Sequence, residues 1–208
     1  MIKKIIISIL SILLAIAYLQ VIINSSYDIS RPEFRYFLYG FFLFIPFWFL
    51  WLKKNHFYST FEHEMTHLLV GLMFFKKPSH FTATHDSGGE TGLYGNNFII
   101  TLAPYFLPTI NLLLLIIYAI ISEKFILPFF SVFGFSLSYH VCSTIDEFSY
   151  QQPDIYTTGK IFSTIFLIFA NIITYGFIVF FITNGFDAAI IFLKQGPLVL
   201  FELINKTV

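Results

Sequence analysis

Apolar residues run in blocks of about 17–25 along this chain, the length an α-helix needs to cross a bilayer. The blocks fall near 5–23, 36–52, 58–75, 98–122, 125–142 and 158–183. A further stretch, 187–204, is interrupted by Lys194 and by Gly196-Pro197, which predicts a broken or interfacial helix. Residues 78–97 are the longest polar stretch. Within it Phe81-Thr82-Ala83-Thr84 alternates, Gly88-Gly89 can turn, and Glu90-Thr91-Gly92-Leu93-Tyr94 follows, which predicts a β-hairpin near 80–94. Open strand edges do not survive in lipid, so the hairpin should pack on helices or line a wet cavity. The pattern predicts an all-α polytopic membrane protein of about six transmembrane helices with one small membrane-associated hairpin. No repeat or long linker interrupts it. The expected organisation is a single integral unit: an N-terminal transmembrane pair (1–57), a membrane core (58–185) and a C-terminal broken or interfacial helix (186–208).

Composition agrees with this pattern. The chain is 57% hydrophobic and 12% charged, against about 25% charged in soluble domains. The formal net charge is zero, so no basic footprint points to nucleic acid. The single cysteine, Cys142, has no intrachain disulfide partner. Lys3-Lys4 precede the first block and Lys53-Lys54 follow the second, which predicts a cytoplasmic N-terminus. Arg31 and Arg35 pull the other way. The first block is too long for a signal-peptide core and no A-x-A-like site follows it, so it reads as an uncleaved span. Heavy Ile, Phe, Lys and Asn usage hints at an AT-rich genome and a bacterial cell membrane.

One polar motif lies inside an apolar block. His63-Glu64-Met65-Thr66-His67 reads H-E-x-x-H. Two histidines four apart share one helix face, so their imidazoles can converge on one ion, and neutral imidazole suits Zn²⁺. Glu64 projects beside them as a candidate general base for an attacking water. With six His and the glutamates present, chance would give the pattern in roughly one such chain in 200. A polar site at membrane depth is costly unless it faces protein or water, which itself suggests function.

A catalytic zinc takes three protein ligands and an open position. The candidates for the third are His56, His80, His85, Asp86, Glu90, His140, Asp146, Glu147 and Asp154, and spacing does not choose among them. Asp146 and Glu147 read as loop carboxylates and His140 as an interior histidine, with His140 and Asp146 kept as alternative ligands or supports. Glu62 reads as facing the headgroups.

The stretch Phe61-Glu-His-Glu-Met-Thr-His-Leu-Leu-Val-Gly71-Leu resembles the signature helix of the site-2 proteases, the M50 metallopeptidases. A Gly-Gly hairpin follows, then a span opening Leu102-Ala-Pro-Tyr-Phe-Leu-Pro108-Thr-Ile-Asn111, then Pro153-Asp154, in the order of the family's core. The likeness covers about residues 58–185 and is closest to short bacterial M50-like members. Two features depart from the family pattern: no Gly precedes the Pro of the span, and Ile155 rather than Gly follows the aspartate. The resemblance implies Asp154 as third ligand, Zn²⁺ as cofactor, and Gly88, Gly89 and Asn111 as substrate-binding residues, with Asn111 equally readable as a polar residue that joins two helices. The implied activity is that of a zinc metalloendopeptidase cleaving peptide bonds in or near transmembrane segments of membrane proteins. The rival readings are a membrane metal-ion transporter and a non-catalytic, helix-binding relative.

Topology sets a condition on Asp154. If 58–75, 98–122 and 125–142 all cross fully, Asp154 lies on the opposite side of the bilayer from the start of the motif helix. One segment must be re-entrant or incomplete, or the loop 143–157 must fold back deeply. The expected segment is 125–142, with Pro128 and a polar end at Ser136, Ser138, Tyr139 and His140; otherwise His140 or Asp146 replaces Asp154 as the candidate ligand.

Overall fold

The protein is described here from a computed structural model covering residues 2–84 and 88–207. The helices are α1 (Ile2–Asn24), α2 (Pro32–Phe47), α3 (His56–Met73), α4 (Phe98–Leu102), α5 (Thr109–Tyr118), α6 (Ile126–Glu147), α7 (Pro153–Thr158), α8 (Lys160–Asn184) and α9 (Phe186–Thr207). Two antiparallel strands, β1 (Pro78–Ala83) and β2 (Gly89–Leu93), stand between α3 and α4. The expected hairpin is therefore present. His85 and Asp86 lie outside the described residues.

Among the described residues, four helices are long and apolar enough to cross a membrane: α1, α2 with the π-turn Trp48–Leu52 that continues it, α6 with its preceding 3₁₀ turn, and α8. A bent pair made by α4 and α5 would make a fifth. This is the make-up of a multi-pass helical membrane protein. The motif helix α3 is not among these spans, because three histidines and two glutamates dilute its apolar face.

The incomplete segment is not where the sequence suggested. α6 runs unbroken through Pro128, because Pro128 sits in its first turn, where a backbone N–H has no helical acceptor to lose. The break falls in 98–122 instead, where α4 and α5 meet at 85°. Pro104 and Pro108 remove two N–H donors within five residues; Pro104 lies in a 3₁₀ turn at Ala103–Tyr105, and α5 opens directly after Pro108. α9 continues through Lys194 and Pro197 as one helix, which removes the broken form of the expectation and leaves the interfacial one.

The chain separates into two compact units, Met1–Phe34 with Gly159–Val208, and Arg35–Thr158. The first packs α1, α8 and α9 on one another. Phe180 stacks on Phe192 at 4.7 Å, and the Tyr18 hydroxyl donates to the Leu193 carbonyl at 2.8 Å. The second unit holds α3, the hairpin, α4 to α7 and nearly all of α2. Gly40 and Gly134 let α2 and α6 touch backbone to backbone: a Cβ on Gly40 would lie 1.8 Å from the Ser131 carbonyl oxygen, and one on Gly134 2.1 Å from that of Phe37. The motif residues, the hairpin and Asp154 all belong to this second unit.

The hairpin is seated on α3 at two points. A Cβ on Gly89 would meet Glu64 Cγ at 2.5 Å, and a Cβ on Gly71 would meet a Leu93 methyl at 2.6 Å. Seven helical residues rise about 10 Å and four strand residues about 13 Å, so β2 runs alongside α3 in the same direction. The Thr91 hydroxyl donates to the Glu64 carbonyl at 2.9 Å between the two contacts. Leu93, Phe106 and Leu107 pack on the buried Val70, Ile100 and Ala103, which closes the far end.

Candidate metal centre

His63 and His67 face the same way on α3, with ring centroids 4.9 Å apart. Asp154 reaches them from α7. Its Oδ2 lies 3.1 Å from His63 Nε2 and 3.2 Å from His67 Nε2. Among the described residues these three form the one His/Cys/Asp/Glu group whose donor atoms converge closely enough to hold a metal ion. Four ligands at about 2.0–2.1 Å around a tetrahedral zinc stand about 3.3–3.4 Å from one another. The two observed nitrogen–oxygen separations are within 0.3 Å of that edge, and imidazole and carboxylate are donor types that zinc accepts.

The other ring nitrogens fix the orientation. His67 Nδ1 is 2.9 Å from the Ile100 carbonyl, and His63 Nδ1 is 3.1 Å from a Glu147 carboxylate oxygen. A carbonyl and a carboxylate only accept, so each Nδ1 carries the proton and donates. In the neutral imidazoles both Nε2 atoms then present bare lone pairs, and both point at an Asp154 oxygen that is also electron-rich. Three lone pairs meeting at one point repel unless a proton or a cation lies among them. Histidines that hold metals generally donate their other ring N–H to a carbonyl or carboxylate in this way.

The sequence explains how these supports arise. The Ile100 carbonyl would accept from residue 104 in a continuing helix, but residue 104 is proline and has no N–H to give. Ala103 N–H takes one of the carbonyl's lone pairs and His67 the other. Asp154 stands in the first turn of α7 behind Pro153, a favoured opening for a helix and a favoured place for a carboxylate. Ile155, next in the chain, is fully buried and anchors that turn.

A cavity of about 490 Å³ opens on this centre, lined by His63, Glu64, His67 and Asp154 on one side and by Gly89 to Thr91 of β2 on the other. Glu64 is 8% exposed and belongs to its wall. A second cavity of about 480 Å³ shares His63, Glu64, Gly89 and Gln152 with it and reaches to Gly88, Asp146 and Glu147. Thr84 N–H donates to the Gly88 carbonyl at 2.9 Å. Alternation along an antiparallel pair then directs the main-chain groups of Gly89 and Thr91 away from β1.

The remaining sequence candidates fall elsewhere. Asn111 is buried and donates from Nδ2 to the Phe133 carbonyl at 2.8 Å, joining α5 to α6; it lines neither cavity. His140 is buried beside Glu62, 3.4 Å away, outside the ligand cluster. Glu62 accordingly turns inward rather than to the headgroups. Asp146 lies 3.8 Å from both Lys53 and His56. His80 pairs with Glu90 at 3.4 Å on the exposed hairpin. Glu147, expected as a loop carboxylate, is the last residue of α6 and supports His63. Tyr105, not singled out from the sequence, packs its ring on the edge of His63 at 5.3 Å and 82° and reaches Asp154 Oδ2 with its hydroxyl at 3.4 Å. Neither carries a local signal: one is 84 residues from its partner, and the other is one aromatic among many.

No family model, curated protein or solved structure matches the chain.

The two hairpin glycines have different duties. Gly88 has φ +78° and open space where a Cβ would go, so Gly88→Ala meets only backbone strain of about 1–2 kcal/mol. Gly89→Val would drive its side chain into Glu64 Cγ and into Thr60 Cγ2, 2.5 and 2.8 Å from a new Cβ. Overpacking of this kind costs about 1–3 kcal/mol, so Gly89→Val should melt below wild type. Thermal melts in detergent check this, and an unchanged melt would detach the hairpin from α3.

Proposed function

We propose that the chain is a zinc-dependent intramembrane endopeptidase of the site-2 protease type, hydrolysing peptide bonds in or near transmembrane segments of other membrane proteins. The observation that carries this reading is the convergence of His63 Nε2, His67 Nε2 and Asp154 Oδ2 beside Glu64 at the wall of a cavity. Zinc bound among them would lower the pKa of a coordinated water toward neutrality and polarise the scissile carbonyl.

The residues of the chain do the rest. Glu147 and the Ile100 carbonyl hold the two imidazoles as Nδ1–H tautomers, so Nε2 stays available. Glu64 takes the proton of the attacking water and returns it to the leaving amine. The edge of β2 supplies the binding mode. A transmembrane helix has its carbonyls hydrogen-bonded internally and must unwind before one can be attacked. An unwound segment loses those bonds, and the outward main-chain groups of Gly89 and Thr91 can replace some of them by strand addition. A peptide paired there would run past Glu64, since β2 and α3 lie side by side.

Purified full-length protein in detergent should carry about one zinc per chain. It should cleave a membrane-protein substrate, lose that activity to a chelator and regain it on zinc addition. Cleavage that survives complete removal of metal, or a chain that takes up no zinc, would remove the reading. Zinc flux into proteoliposomes without any cleavage would favour a metal transporter instead.

A further inference from the structure

The break between α4 and α5 touches the metal centre twice. It frees the Ile100 carbonyl for His67, and it carries Tyr105, whose side chain meets both of the other ligands. Tyr105 is 3% exposed. Its ring stands edge-on to His63 at 5.3 Å and to Phe148 at 5.9 Å. Its hydroxyl donates to Asp154 Oδ2 at 3.4 Å.

We infer that Tyr105 is a positioning residue of the metal centre, its hydroxyl selecting the oxygen of Asp154, and the lone pair of that oxygen, that faces the two imidazoles. The inference rests on the metal-centre reading above. Asp154 needs such a guide. It projects from a six-residue helix, its side chain is 24% exposed, and its two oxygens are chemically equivalent. Free rotation would let either oxygen, or both together, address the centre. Both imidazoles nevertheless meet Oδ2. That same oxygen accepts from Tyr105, a bond that occupies one direction around Oδ2 and leaves another for a metal. The ring separately limits the tilt of His63. The hydroxyl and the ring thus have different duties, and two variants part them. Tyr105→Phe keeps the ring between His63 and Phe148 and removes only the donor. Tyr105→Ala removes both.

The test uses the full-length protein in detergent, with zinc affinity measured against a chromophoric chelator and ligand geometry read from the visible spectrum of the Co²⁺-loaded protein. Tyr105→Phe should bind zinc about 10- to 100-fold more weakly, the usual cost of losing a ligand's hydrogen-bonded support. Its cobalt bands should shift, while its melting temperature without metal stays that of wild type. Tyr105→Ala should lose affinity at least as far and melt lower, because the packing goes too. Wild-type affinity and an unshifted cobalt spectrum in Tyr105→Phe, with metal bound by the wild type, would overturn the inference and leave the metal centre standing. Failure of the wild type to bind either metal would overturn both.

Discussion

Asp154→Asn should strip the protein of metal. The substitution keeps the side chain's shape and removes the charge, so the two imidazoles lose the anionic partner that now lies 3.1 and 3.2 Å from them. Two neutral ligands from one helix are one short of the set that catalytic zinc sites use. The loss should exceed the about 10- to 100-fold cost of removing a supporting residue. Metal content after gel filtration would fall from about one per chain to a trace. His63→Ala and His67→Ala should do the same. Because Asp154 contributes Oδ2 and little else to packing, with Ile155 rather than Asp154 buried in the core, the variant should still fold. An Asp154→Asn protein that keeps its zinc would remove Asp154 from the role of third ligand.

Glu64→Gln should have the opposite signature: metal retained, cleavage lost. Glu64 stands between the two histidines in sequence, but its carboxylate is outside the converging group. Its backbone bond from Thr91 and its contact with Gly89 do not involve the carboxylate oxygens. Glutamine preserves these contacts and cannot take up a proton. General-base catalysis is worth about 10²–10⁴-fold, and the rate should fall by that factor at unchanged zinc content. Equal cleavage by Glu64→Gln and wild type would refute the hydrolytic mechanism even if the metal is present. The pair of variants separates holding the metal from using it.

The local elements were legible because their causes are local. Apolar blocks of spanning length gave α1, α2, α6 and α8. Alternation and paired glycines gave the hairpin, and the four-residue histidine spacing gave a shared face on α3. The choice of Asp154 as third candidate ligand came from resemblance rather than spacing, since nothing within the sequence ranks it above eight other candidates. The sequence allowed for an incomplete segment but pointed to the wrong one, because a proline's effect depends on its position: Pro128 falls in a first turn and is harmless, whereas Pro104 and Pro108 fall where a helix continuing from α4 would need N–H donors.

By itself, then, the sequence determined the membrane class, the motif helix and the hairpin, each set by periodicity and by short-range backbone rules. The tertiary structure decided which distant groups complete the centre. Glu147 meets His63 across 84 residues, Ile100 meets His67 across 33, and Tyr105 meets Asp154 across 49. It also turned Asn111 away into a helix–helix bond and Glu62 inward to His140. The reason is physical. A hydrogen bond between remote segments depends on how the intervening helices pack and where they break, and no periodicity along the chain records either.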